Sequence, residues 1–339
     1  MSVLPVVRRF RYLGLLTIAT VYTLILVGGV VRATGSGMGC PDWPTCFGQW
    51  IPPTSEAQLP ENYQQIYADR GYLETEFNVR KTWTEYANRL LGVTTGFLIF
   101  LTTLFSIAYL KRDKPVFYVT LAAFFLVAFQ GWLGSRVVAS NLMPGMITLH
   151  MLTAQVIVAL LIYAIARSQK KILSSNDLRE LPKVFYTVLI VAMGMTLVQM
   201  TMGTQVREAI DIIAHRFNYT DRNLWVENLP VIFLIHRSFS SIILFTNLWI
   251  VWKLWRARQH STLLKWLAIG LAGLIIATIL LGVSMDRLHV PAFAQPLHMW
   301  LASLIFGTQL FLFMTVRYAT FKQTGRTEKT TNLAIPADK

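Results

Sequence analysis

Two histidines, each attached to a long apolar run, offer the clearest chemistry in this sequence. His236 lies in Val231-Ile-Phe-Leu-Ile-His236-Arg-Ser-Phe-Ser and His298 in Pro296-Leu-His298-Met-Trp-Leu-Ala-Ser, 62 residues apart. Moving both back by 148 reaches Asn88 and His150, again 62 apart and again opening apolar stretches. The chain therefore reads as two copies of one unit, with three histidines in four equivalent places and Asn88 as the exception. A histidine in a membrane span is costly and marks a functional site by default. Two at one depth, in register with a duplicated unit, suit axial ligation of a haem iron. Zinc or copper would usually want a third or fourth His, Cys or carboxylate nearby, and the spans offer none. The residues alone thus place a haem between His236 and His298.

Other residue types cluster around these positions. Arg32, Arg89, Arg207 and Arg237 all fall next to them, where guanidinium forks could meet haem propionates bidentately or simply snorkel to the interface. Glu85 precedes Asn88 by three residues, one helical turn away, and is a candidate general base or proton acceptor as much as a capping residue. Gly92, Gly96 and Gly134 could leave room for a flat macrocycle or for close helix packing. Cys40 and Cys46 are the only cysteines; on an oxidising side they can pair, as a structural staple or as a redox or transfer device. A staple on so short a loop would contribute only about 2 kcal/mol. His215, His260 and His289 fall in expected loops and are assigned no role.

The elements that must position these groups are membrane helices. The 339 residues are 54% hydrophobic and only 14% charged, too apolar for a soluble chain of ordinary composition. Spans long enough to cross a bilayer occur at about 13–31, 90–110, 115–134, 147–165, 184–204, 229–252, 266–285 and 296–316. The net charge of +14 is explained by distribution rather than by nucleic acid, because 20 Lys and Arg lie in one set of connections and 11 in the other. The positive-inside rule then puts both termini in the cytoplasm, with lipid as the anionic partner. No cleavable leader is evident, which favours a bacterial plasma membrane.

The glycine-rich run Gly28-Gly-Val-Val-Arg32-Ala-Thr-Gly35-Ser-Gly37 is expected to end the first span. A large outer loop, 32–89, follows, with a short amphipathic helix expected on the membrane surface. In the second half, Gly203-Thr-Gln-Val206-Arg207 echoes Gly29-Val-Val31-Arg32, and Leu281-Gly282 echoes Leu133-Gly134. An outer loop is expected over about 205–230. The expected architecture is an all-α polytopic membrane protein of two tandem four-helix bundles related by a pseudo-two-fold repeat. Its boundaries read as an N-terminal half 1–167, a cytoplasmic linker 168–183, a C-terminal half 184–318 and a tail 319–339.

Taken together, Gly29-Val-Val-Arg-Ala-Thr-Gly-Ser-Gly-Met-Gly-Cys40-Pro-Asp-Trp-Pro-Thr-Cys46, Glu85-Tyr-Ala-Asn-Arg89, Gln130-Gly-Trp-Leu-Gly-Ser-Arg136, Leu149-His150, His236-Arg237 and Leu297-His298 resemble the heme A synthase family over nearly the whole chain. The resemblance implies an enzyme that oxidises the C8 methyl of haem O to a formyl group, making haem A for cytochrome oxidase. It implies a haem b cofactor on His236 and His298 in the C-terminal half, beside which the reading of the residues sets Arg207 and Arg237 as cofactor contacts. It implies a substrate side in the N-terminal half with His150 and Glu85, beside which the same reading sets Asn88, Arg32 and Arg89 as substrate contacts. The cysteine pair of many bacterial members matches Cys40 and Cys46. Implied partners are the haem O synthase and the oxidase assembly machinery; self-association is left open. The departure is Asn88, where the family pattern Glu-x-x-His has its histidine, which suggests a haem held by His150 alone. Two other classes stay in view: a b-type electron-transfer subunit, and a haem carrier without catalysis.

Overall fold

The computed structural model describes residues 5–175, 181–218 and 220–331. Eight long helices carry it: α1 Pro5–Ala33, α2 Val79–Ser106, α3 Lys114–Ala139, α4 Pro144–Ser168, α5 Val184–Arg216, α6 Val231–Ala257, α7 Thr262–Arg287 and α8 Ala294–Thr331. All eight are long and apolar enough to cross a membrane, and no strand occurs among the described residues. The fold class is the all-α polytopic one that the apolar spans announce. Part of the linker (176–180) and of the tail (332–339) lies outside the described residues.

Several helix ends differ from expectation. α1 runs through Gly28 and Gly29 to Ala33, and α5 runs through Gly203 to Arg216, so neither glycine ends its helix. Internal packing outweighs the modest helix penalty of glycine here. The expected loop at 205 therefore starts a dozen residues later, and His215 lies on α5 rather than in a loop. His289 does lie in a turn and is exposed. In the first outer loop, the expected short helix is a single α-helical turn, Tyr63–Ile66, set among the 3₁₀ turns Glu56–Gln58, Ala68–Arg70 and Tyr72–Glu74 and folded around aromatic side chains.

Within the first half α1 packs on α2, α2 on α3, α3 on α4, and α4 back on α1; α5 to α8 close in the same cyclic order. The halves meet through α1 on α8, α4 on α5, and α4 on α8. Burial follows: the apolar windows of α4 and α8 are 56% and 50% buried, and that of α6 is 6% buried, so α4 and α8 form the centre and α6 a rim. Contacts between equivalent residues are compatible with a two-fold relation. Ser303 Oγ donates to Gln155 Oε1 at 2.9 Å, and these residues are 148 apart. Thr148 on α4 donates to Thr204 on α5 at 3.0 Å, while the corresponding close approach on the other side is Gly29 of α1 against Pro296 of α8.

Charged contacts brace the ends. Between α2 and α3, Asp113 accepts from Arg167 Nε and Lys170 Nζ, each at 2.9 Å, tying that turn to the end of α4. Burial pushes the Asp113 carboxyl up, but the hydrogen bonds from Lys170 and Arg167 outweigh it and hold the group below its usual range.

Candidate haem sites

His236 on α6 and His298 on α8 face each other across the second half, with ring centroids 6.5 Å apart. An imidazole radius of about 1.1 Å plus a metal–nitrogen bond of ~2.0 Å on each side gives about 6.2 Å for two rings sharing one metal. The observed separation is compatible with that arrangement. His236 Nδ1 is buried without a hydrogen-bond partner, whereas His298 Nδ1 lies 2.9 Å from the Thr278 carbonyl. That carbonyl is the kind of partner that fixes the tautomer of a ligating histidine and directs its other nitrogen outward. Three turns deeper the same helices are pinned by Gln309 Nε2 donating to Asn247 Oδ1 at 2.9 Å, again 62 residues apart. This buried amide pair holds α6 and α8 in the register that puts the two imidazoles level.

In the first half His150 lies on α4 and Asn88 on α2. His150 Nδ1 and Asn88 Oδ1 are both buried without a partner. A Cβ on Gly92 or Gly96 would meet nothing within 4 Å, so this face of α2 is open; Gly134 instead backs onto His150 Cε1. Among the described residues no three His, Cys, Asp or Glu side chains gather at a metal's reach. What the two bundles offer is a facing imidazole pair in one and a single imidazole in the other.

Glu85 and Arg89 occupy the turn of α2 above Asn88. Glu85 is 3% exposed; Arg89 donates to its Oε1 from Nη2 at 2.5 Å and from Nε at 3.2 Å, and the Cys40 N–H donates to Oε2 at 2.8 Å. Arg89 also donates to the carbonyls of Asp42 (2.7 Å), Thr45 (2.9 Å) and Cys40 (3.1 Å). A guanidinium has five N–H donors, and all are spent. Arg89 thus spends its hydrogen bonds on Glu85 and the cysteine loop, and a substrate propionate would have to exchange with one of them.

Cys40 and Cys46 form a disulfide whose Cα atoms are 4.8 Å apart. Inside the loop, Asp42 accepts from Thr45 Oγ and from the N–H groups of Phe47 (2.6 Å) and Gly48 (2.8 Å). The Phe47 ring is then boxed edge-on by Tyr63, Tyr67, Tyr72 and Phe77, with centroids 5.4–6.2 Å away. Burial, with the Glu85 carboxylate adding to it, raises the pKa of the Tyr72 phenol, which stays protonated and donates to the Met38 carbonyl at 2.5 Å. With this much support from other bonds, Cys46→Ser is expected to lower stability by only about 2 kcal/mol and leave the loop in place. Differential scanning of the detergent-solubilised variant checks this; loss of the folded state would mean that the disulfide alone holds the loop.

The other arginines are differently placed. Arg32 and Arg207, from α1 and α5, both pair with the carboxylate of Asp211, at 3.0 and 2.8 Å. Arg237 is more exposed, 3.8 Å from Asp286 and stacked on Phe233. Sequence reasoning missed Asp211, and it missed Gln130 and Gln199, whose amides donate to the carbonyls of His150 (2.8 Å) and His236 (2.9 Å). The signal was available: Gln130 and Thr278 are 148 apart, like the histidines they serve.

Fold and site together define a multi-pass membrane protein with a facing histidine pair in one four-helix bundle and a single histidine at the matching place in the other. The chain belongs to the cytochrome oxidase assembly protein family (COX15-CtaA), whose model matches residues 11–310. It is 26% identical to a heme A synthase of Shewanella oneidensis, over 93% of this chain and 98% of that protein. It is 27% identical to a heme A synthase of Methylobacterium sp. strain 4-46, over 89% of each chain. A heme A synthase of Nitrosomonas eutropha is 34% identical over 44% of each.

Proposed function

We propose that this protein is a heme A synthase, an oxidoreductase of the bacterial plasma membrane that converts the C8 methyl of haem O to a formyl group. The relatives of that name that span most of the chain support the reading. The observation that carries it is the 6.5 Å spacing of His236 and His298, with a buried, partnerless ring nitrogen on His236. Haem b would be held by these two residues, and bound there it supplies one-electron redox chemistry. Arg237, beside His236 on α6, and Arg207, on the adjacent α5, are the propionate partners in this reading. The N-terminal half takes haem O as substrate on His150, with Arg32 toward its carboxylates. Glu85 Oε2 is the carboxylate oxygen that Arg89 does not hold, so it is the one with which the residue would accept a proton one turn above Asn88. Both termini are cytoplasmic in this reading, and the haem O synthase and oxidase assembly machinery are the partners at either end of the reaction.

Purified protein from cells supplying haem O should yield, on extraction, haem b together with haem A or its hydroxylated precursor. Haem b with unaltered haem O would favour the carrier reading instead. Asn88 leaves one side of the substrate iron without an imidazole, so Asn88→His is expected to add a second low-spin haem signal in the presence of substrate. A spectrum unchanged by the substitution would place Asn88 away from the iron.

A further inference from the structure

Each histidine sits in the same kind of seat on the preceding helix of its bundle. On α3, Gln130 and, four residues on, Gly134 face His150: the amide donates to the His150 carbonyl, and a Cβ on Gly134 would lie 3.4 Å from its Cε1. On α5, Gln199 and Gly203 face His236 in the same way, with the Gly203 Cβ position 3.3 Å from Cε1. On α7, Thr278 and Gly282 face His298; here the shorter side chain lets the imidazole reach the Thr278 carbonyl itself, and the Gly282 Cβ position is again 3.3 Å from Cε1. In the fourth place, on α1, Gly28 backs onto Asn88 at 3.9 Å, but the residue four before it is Leu24, which cannot donate.

We infer that Gln130, Gln199 and Thr278 are positioning residues that set the height and rotation of the haem-ligating histidines, and that the Leu24–Asn88 place is a seat dismantled as a unit. This rests on the haem reading above. Two amides fasten the backbone of their histidine turn and one carbonyl fastens the imidazole ring itself, in each case where a glycine lets the helices approach. An alanine at that glycine would press on Cε1, and an apolar residue at the polar position leaves the turn untied. At Leu24 and Asn88 both the ligand and its tether are gone, so an imidazole put back at 88 alone has no tether.

The test uses full-length protein carrying haem. Gln199→Met keeps the volume and removes only the donor. Expected are a broadened or shifted low-spin electron paramagnetic resonance signal of the C-terminal haem and a retention against an apoprotein scavenger weakened about tenfold or more. In parallel, Asn88→His is compared with Asn88→His/Leu24→Gln, and only the double variant is expected to give a homogeneous second low-spin signal. An unchanged signal and retention in Gln199→Met overturns the inference, and so does a single Asn88→His variant equal to the double one. The haem reading itself fails in a different way: His236→Ala would then retain the full low-spin signal of the unsubstituted protein.

Discussion

Alanine at His298 is expected to strip the C-terminal half of haem b and to reduce turnover by more than about 100-fold, beyond the loss typical for partners of a ligand. The structure makes the effect local. His298 is tied to Thr278 through its ring, while α8 is held to α6 by the Asn247–Gln309 amide pair and to α4 by Gln155–Ser303, none of which the substitution touches. The helices should stay assembled, and haem content measured as the pyridine complex should fall by the share belonging to that half. His150→Ala is the companion: it should leave haem b in place and lose the substrate haem. Were both variants to lose the same haem, the division of labour between the halves would be wrong.

Removing Arg89 should have the largest effect on stability. Arg89→Leu leaves the Glu85 carboxylate buried with no charged partner, only backbone N–H groups at Gly39 and Cys40, and takes the donor from the carbonyls of Cys40, Asp42 and Thr45. Stranding one member of a buried ion pair costs about 3–5 kcal/mol. Glu85→Gln, which keeps the shape and an acceptor for Cys40, should cost less in stability while abolishing the proposed proton acceptor. Melting in detergent separates the two: a large drop for Arg89→Leu, a small one for Glu85→Gln with activity lost. An Arg89→Leu protein that melts with the unsubstituted one would show that the clamp contributes little.

How much of this was legible beforehand differs by element. The eight spans were plain from apolar length, because a bilayer demands helices and leaves few alternatives. The histidine register was plain too, since 62 and 148 recur without any need for geometry. The helix ends were not: Gly28, Gly29 and Gly203 read as breakers, yet each lies where a neighbouring helix approaches closely, a fact of packing that no local pattern carries. Arg89 read as a substrate residue because its neighbourhood was right; that two of its hydrogen bonds go to Glu85 and three to a loop more than forty residues upstream depends on the tertiary fold. Asp211 escaped notice because the stretch holding it was taken for loop, and an acid in a loop looks solvated.

The Gln155–Ser303 bond and the Asp211 carboxylate shared by Arg32 and Arg207 have a mechanical consequence. Under the two-fold relation with which these contacts are compatible, a residue that meets its own counterpart lies close to the line relating the halves, and the Asp211 carboxylate lies between Arg32 and Arg207. Turning one half about that line leaves such contacts at their original length, so they resist separation and sliding but hardly resist rotation. Angular stiffness has to come from contacts with a lever arm, and here those are unlike on the two sides: a hydrogen bond between Thr148 and Thr204 joins α4 to α5, while α1 meets α8 through Gly29 against Pro296 and through Tyr22 Oη donating to the Ser303 carbonyl at 3.4 Å. Both edges are tied, each by contacts of its own kind.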